Sequence, residues 1–369
     1  IIINVLNKGE TMNKLTKLML SVISSVAIAT SAFAGEFSVT GGVKATYTIL
    51  SNTSTSGTHG LGKGLGLSNE FTLGASGELD NGMTWSYAQD IDGATVQDDA
   101  NLSVGTDFGT FKFCIHECGL STKYAFDNSA YGVGSDTGYG GGSGSTVTMQ
   151  YGSNISSYNN LQYHAPADVL PFGMTFKYGI TPAGAASGTT DSTHAVQANN
   201  TAGDMTQMAA TIAPIDGLTI SASYYDFDEM GNRDSKQSAE GGSLAFNYAL
   251  GNLSIGYGET RHVPALRTGQ SKTAAHVKGY ENEAYSIGWA VNDSLSVSYT
   301  NEESTRIKAY DDVSGTRQDS NTTMEIDTID LSYTVGGMTL GLSQSETSTE
   351  SYTTGDEVTE TILAVTMAF

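Results

Sequence analysis

The stretch TETILAVTMAF (359–369) alternates with a period of two, and Leu363, Val365, Met367 and Phe369 share one face. A β-strand points successive side chains to opposite faces, whereas a helix repeats its apolar positions every three or four residues. Back along the chain, nearly every segment rich in β-branched and aromatic residues has the same period. In FSVTGGVKATYTI (37–49) one face carries Phe37, Val39, Gly41, Val43, Ala45, Tyr47 and Ile49, and the other Ser38, Thr40, Gly42, Lys44, Thr46 and Thr48. LTISASY (218–224), LSIGY (253–257), YSIGWAV (285–291), LSVSY (295–299) and MTLGLS (338–343) behave alike. No helical stripe follows residue 35, so the chain reads as all-β.

Punctuation between the runs comes in two kinds. Tight-hairpin signals recur at Asp80-Asn81-Gly82, Asp107-Phe108-Gly109, Asp216-Gly217, Gly251-Asn252, Asn292-Asp293 and Gly336-Gly337. Each joins alternating runs of about 8–12 residues, long enough for a tilted strand to cross a bilayer. Between these hairpins lie long polar stretches at 51–66, 92–98, 119–158, 182–203, 227–241, 263–281, 304–323 and 349–357. The pattern predicts about sixteen antiparallel strands, including 67–79, 159–165 and 171–181. An even number leaves both termini on the short-turn side.

The start of the chain addresses it. In residues 12–34, Lys14 and Lys17 precede an apolar run from Leu18 to Ala29 and the small-x-small site Ala32-Phe33-Ala34. That is the order of a cleaved signal peptide, and the run is too short to span ~30 Å of hydrocarbon. Residues 1–11 read as an untranslated upstream extension, because Lys8-Gly9-Glu10 is what a purine-rich ribosome-binding sequence would encode just before Met12. The expected mature chain is a single domain, 35–369, with 14 Lys+Arg against 38 Asp+Glu and a net charge of −24. Such acidity argues against nucleic acid as a partner, which demands a basic face.

Both cysteines lie in KFCIHECGL (112–120). Export favours oxidation, and two cysteines with no other partner make a Cys114–Cys118 disulfide the expected state. On a continuing strand they would stand ~13 Å apart, so pairing requires a turn near His116. Free thiols are the first alternative. A metal site is the second, although Cys-x-His-x-Cys supplies only three ligands.

A soluble β-sandwich would also alternate. Here the polar face is poor in Lys and Glu, and Phe37, Tyr47, Phe172, Tyr224, Tyr248, Tyr257, Tyr299 and Tyr333 fall near strand ends on the apolar face, as in interfacial girdles. Strands in lipid must pair every backbone group, which demands a closed transmembrane β-barrel.

A terminal aromatic closing an alternating strand resembles the insertion signal of bacterial outer-membrane proteins, with Leu363, Val365, Met367 and Phe369 as the assembly signal. Together with the signal peptide, the strand count and the long loop after the fifth strand, the whole mature chain resembles a Gram-negative general-diffusion porin, nearest to the alphaproteobacterial type. That resemblance implies an integral outer-membrane protein surrounded by lipid, a homo-oligomer in the form of a trimer, and insertion by the barrel-assembly machinery through the last strand. It implies a water-filled channel for small hydrophilic solutes and ions, with no enzymatic activity and no cofactor. The loop at about 119–158 would fold inward, setting Asp127 and Asp136, with Glu70 on the wall, against basic residues. The basic candidates on the polar face are Lys44, Lys112 and Lys177, beside Glu78, Asp90 and Asp107. The five arginines fall in the second half of the chain, unlike the family's wall cluster. The acidity of the chain and of this loop points to a weak cation preference.

Other motifs carry less. Gly57 to Gly64 comes within one residue of a phosphate-binding loop, but Gly64 replaces the required Ser or Thr and no helix follows. The pairs Asp98-Asp99, Glu302-Glu303 and Asp311-Asp312 read as outer-loop charges, candidate holders of divalent cations, and the six histidines form no Ser–His–acid set. A substrate-specific channel for a sugar, phosphate or an organic acid is the alternative function. A non-conducting adhesin with a plugged lumen comes third.

Overall fold

A computed structural model describes residues 35–52, 62–92, 95–121, 149, 151–152, 154–182, 204–227, 235–237, 239–264, 266–267, 277–308 and 321–369. The leader, with its expected cleavage site, lies outside the described residues, as do Asp127, Asp136, Asp311 and Asp312.

The first nine strands are β1 (Glu36–Asn52), β2 (Gly62–Glu78), β3 (Thr84–Asp92), β4 (Thr95–Thr106), β5 (Gly109–Ile115), β6 (Asn160–His164), β7 (Thr175–Thr181), β8 (Met205–Ile215) and β9 (Leu218–Phe227). Then come β10 (Ser235–Gln237), β11 (Glu240–Leu250), β12 (Leu253–Val263), β13 (Leu266–Arg267), β14 (Val277–Ala290), β15 (Leu295–Lys308), β16 (Thr322–Val335), β17 (Met338–Ser348) and β18 (Glu357–Ala368). All but β10 and β13 form one closed antiparallel barrel of sixteen strands, and those two pair with each other apart from it. Among the described residues no helix is long and apolar enough to cross a membrane; the barrel strands fill that role.

Closure joins β1 to β18, from Gly42–Ala368 to Asn52–Val358. Beyond the strand end, Gly41 and Phe369 exchange backbone hydrogen bonds of 3.0 and 2.9 Å. The Phe369 ring leans on Phe71 of β2, centroids 5.4 Å apart. A Cβ on Gly41 would lie 2.6 Å from the Glu70 carbonyl oxygen and 2.9 Å from the Phe369 ring. The glycine therefore leaves the space that the terminal aromatic ring occupies at the seam.

Side-chain parity then sorts the wall. Phe37 (68% exposed), Leu65 (78%) and Trp289 (52%) stand on the outer face with Leu363, Met367 and Phe369, while Thr46, Thr48, Ser343 and Thr328 on the opposite parity are buried. At the turn between β16 and β17, Gly336 and Gly337 both have positive φ (57° and 80°), the backbone of a two-residue hairpin matched to strand twist.

Several expectations are corrected. Strand 171–181 starts only at Thr175, because Phe172 adopts φ 56° within a pair of 3-10 turns, so that connection runs from 165 to 174. The loop at 92–98 shrinks to a hairpin, with Asp92 paired to Thr95. β2 reaches out to Gly62. Asp107 sits in a turn rather than on the polar face. Glu302 and Glu303 belong to β15, not to a loop, and their adjacency sends one to each face. The inner face is also less uniformly polar than expected: Leu50, Met324, Ile326, Val358 and Ile362 all point inward and are buried.

On the outer face, Glu259, Glu283, Glu303 and Glu325 stand directly opposite one another across β12, β14, β15 and β16. The Tyr257 hydroxyl shares its one hydrogen between Glu259 and Glu283, 2.6 and 2.9 Å away, and Asn301 donates to Glu325 and Asp327.

Gly41→Val should strain the seam by about 1–3 kcal/mol, the usual cost of overpacking. The expected result is a lower yield of the compact, heat-modifiable band on electrophoresis after refolding. An unchanged yield would show that the seam tolerates a side chain there.

Candidate functional site

The wall is not of even height. β5, β6 and β7 have 7, 5 and 7 residues, whereas β14, β15 and β16 have 14 each. At the low sector the chain leaves β5 and returns in β6, and the described parts of this connection lie inside the barrel.

Its root is set by a break in β5. His116 (φ 52°) and Cys118 (φ 68°) take left-handed backbone, sparsely populated by residues with a Cβ. The strand thus turns where the sequence required a turn, and the Cys114 and Cys118 sulfurs are joined at 2.09 Å with Cα atoms 6.2 Å apart. Side chains of the neighbouring β6 hold the turn: Asn160 Nδ2 donates to the Glu117 carbonyl at 3.0 Å, and Gln162 Nε2 donates to the Cys118 carbonyl. Among the described residues no group of three His, Cys, Asp or Glu could hold a metal ion.

The returning arm crosses the lumen. Met149 packs with Leu50, Met324, Ile326 and Val358 on the β1, β16 and β18 side, with Tyr151 against the same cluster. Tyr151 donates from its hydroxyl to Glu302 Oε1 on β15 at 2.8 Å, and Glu302 is fully buried. A few residues on, the Ile155 N–H donates to Gln207 Oε1 on β8 at 2.8 Å. Ile155, Leu120 and Tyr158 pack there with Met205, Ala209, Tyr225 and Phe227. The two arms are tied together by Asn154 Oδ1, which accepts from the N–H groups of Leu120 and Ser121. Gly179 of β7 leaves the space: a Cβ there would stand 2.6 Å from Ile155 Cδ1 and 3.2 Å from Leu120 Cδ1.

An aromatic arc supports the arm from the wall. Tyr225 bonds to His262 Nδ1, His262 stacks on Tyr280 with centroids 5.8 Å apart, and Tyr280 leans on Tyr352. Arg306 lies over the Tyr352 ring at 5.1 Å. His262, at the edge of a long polar stretch in the sequence, is in fact a buried inward residue of β12.

The predicted wall charges divide into two places. Lys112 and Lys177 come together, on β5 and β7, with His164 of β6 between them. Both ammoniums lie within electrostatic range of the imidazole. Lys44 stands apart on β1, opposite Ser68 and Thr366, with Glu70 diagonally adjacent across the Gly42–Glu70 pair. Glu70 and Lys44, both expected on the polar face, are thus neighbours on consecutive strands, while the loop acids Asp127 and Asp136 lie outside the described residues. Sequence reading missed His164, Gln162 and Gln207, and took Glu302 for an outer-loop charge. Parity could have found the first two, since residues 162 and 164 face inward once β6 is registered on β5.

Comparison with known proteins agrees with this architecture. The trimer form of OmpT from Vibrio cholerae is 13% identical over 91% of this chain and 100% of its own, with a TM-score of 0.60. An anion-selective porin from Comamonas acidovorans is 12% identical over 90% and 100%, with a TM-score of 0.57. OmpF of Salmonella typhi is 12% identical over 91% and 98%, with a TM-score of 0.56. These identities speak for the fold alone. No curated protein matches the sequence. The family model described as Gram-negative porin matches residues 18–324, most of the chain, and the protein is therefore a member of the Gram-negative porin family, an integral barrel of the outer membrane.

Proposed function

We propose that this porin is a passive diffusion channel, through which small hydrophilic solutes and ions move down their gradients past an inward-folded loop. The observation that carries this reading is the arm at 149–158, bonded to β15 at one end and to β8 at the other. A chord across the lumen narrows the pore, and the width and charge at the narrowest ring set what passes. Facing inward by parity are Glu70, Glu78, Asp90, Glu302, Asp330 and Glu360 against Lys44, Lys112, Lys177 and Arg306. That excess of acids supports a weak cation preference.

The same reading includes a trimer, the form that the Vibrio cholerae neighbour takes, and assembly through the β18 signal. It includes export with removal of 12–34, and residues 1–11 left untranslated. N-terminal sequencing of the protein from outer membranes should begin at Gly35, and a start upstream of Met12 would refute the reading of residues 1–11. It also includes the Cys114–Cys118 bridge as a clamp at the root of the loop. Thiol labelling of the unfolded protein without reductant should leave both cysteines unmodified.

In planar bilayers the protein should conduct in KCl, with a zero-current potential of the sign set by faster potassium. Clear chloride preference would overturn the cation preference, and absence of conductance the channel itself. Tyr151→Phe removes a bond to a buried carboxylate, an interaction of about 1.5–3 kcal/mol. The expected outcome is a loosened arm, read as increased open-channel noise with the barrel still folded.

A further inference from the structure

The inner wall gathers positive charge at one place. Lys112, His164 and Lys177 occupy three consecutive strands, with His164 directly opposite Lys177 and Lys112 opposite Gln162. All three charged or titratable side chains are half-buried, open to the lumen rather than packed away. Among the described residues neither lysine has an acidic partner within ion-pair distance. In a chain with 39 acidic residues and 17 basic ones, two ammoniums flanking one imidazole from the strands on either side, neither of them ion-paired among the described residues, are an arrangement that a bound anion would stabilise.

The hydrogen bonds around His164 narrow the kind of anion. Gln162 is oriented by its donors: Nε2 gives one hydrogen to the Cys118 carbonyl and one to Asn160 Oδ1 at 2.8 Å. Its Oε1 therefore faces His164 Nε2, 2.8 Å away, and must accept. In the uncharged ring the hydrogen is then on Nε2, and Nδ1 presents a lone pair. The wall thus offers two cationic donors and one neutral acceptor. A species that fits all three carries negative oxygens and also keeps a hydroxyl hydrogen. Inorganic phosphate does so throughout the neutral range, whereas sulfate and chloride do not. Lys112 also borders, with Thr110, a recess of about 790 Å³ at the turn side of the lumen, whose other flank carries Glu36 and Glu78 and which neither His164 nor Lys177 lines.

We propose that Lys112, His164 and Lys177 form an oxyanion subsite on the pore wall, selective for hydrogen phosphate over sulfate. The subsite rests on the channel reading for its access to solute, and it adds a saturable step to a pore otherwise biased towards cations. Because Gln162 joins it to the carbonyl of Cys118, it lies directly beneath the root of the loop.

The test uses the full-length mature protein refolded in detergent, with the phosphorus resonance of inorganic phosphate as the probe. Wild type should broaden that signal saturably, and sulfate should displace phosphate only at about tenfold or greater excess, a factor of ten being 1.4 kcal/mol. Lys112→Gln/Lys177→Gln should abolish the broadening, and His164→Phe should bring sulfate to parity with phosphate. Equal displacement by sulfate in wild type, or undiminished broadening in the double lysine variant, would overturn the subsite. Heat-modifiable migration checks that each variant is folded; if the double variant is not, the wild-type competition alone decides. Bilayer conductance in KCl is recorded separately. Phosphate binding without conductance would sink the channel and leave the subsite standing, whereas conductance without phosphate broadening would do the reverse.

Discussion

A strand in hydrocarbon has nowhere to send its edge N–H and C=O groups, each of which costs several kcal/mol when unpaired. The whole structure depends on satisfying that constraint at one seam, where β1 meets β18. The terminal phenylalanine and Gly41 complete the ladder at its end. With the seam closed the strand number is even, the connections sort into short and long sides, and every side chain has either an inward or an outward address. The alternating sequence becomes a barrel only because its ends find each other.

Once the wall is closed, the interior must be organised by what enters it. The connection between β5 and β6 is rooted at the lowest sector of the wall and tied through side chains rather than through a sheet. Asn160, Gln162 and Gln207 each reach from a strand to a backbone group of this connection. A side-chain tie to a backbone group is independent of the identity of the residue it holds, so the sequence of the arm can vary while its path is kept. The inward apolar residues Met324, Ile326 and Leu50 serve the same end, giving Met149 a dry place to land.

Much of the fold was legible in the sequence, because period-two alternation and Gly-containing hairpins are local signals. TETILAVTMAF and FSVTGGVKATYTI sit where their alternation places them, paired to each other. Less legible were features set by tertiary context. The five residues of β6, NLQYH, are too few to show a period, and their register comes only from β5 and β7. Phe172 fits an alternating run by type, yet the Pro171-Phe172-Gly173 turn takes it out of the strand. Ile326 and Ile362 have the inward parity that their positions give, but parity cannot say that an apolar patch is needed there. The wall lysines were legible as inward residues. That two of them share a partner histidine while Lys44 stands apart is a matter of strand neighbours, which no single segment encodes.

The glutamates opposite one another on β12, β14, β15 and β16 act on the barrel as a float line. Carboxylates placed side by side repel, and a charge at the centre of a bilayer costs about 2.5–3.5 kcal/mol by insertion scales. None of the four can therefore be drawn into hydrocarbon, and the tyrosine hydroxyl of Tyr257 that serves two of them marks the boundary layer where such a group is at home. The barrel cannot sink past this row, nor rise far without lifting Ile255, Ile287 and Leu331 out of lipid. Its depth is thereby set on the long-walled side, and with it the level at which the loop crosses the pore.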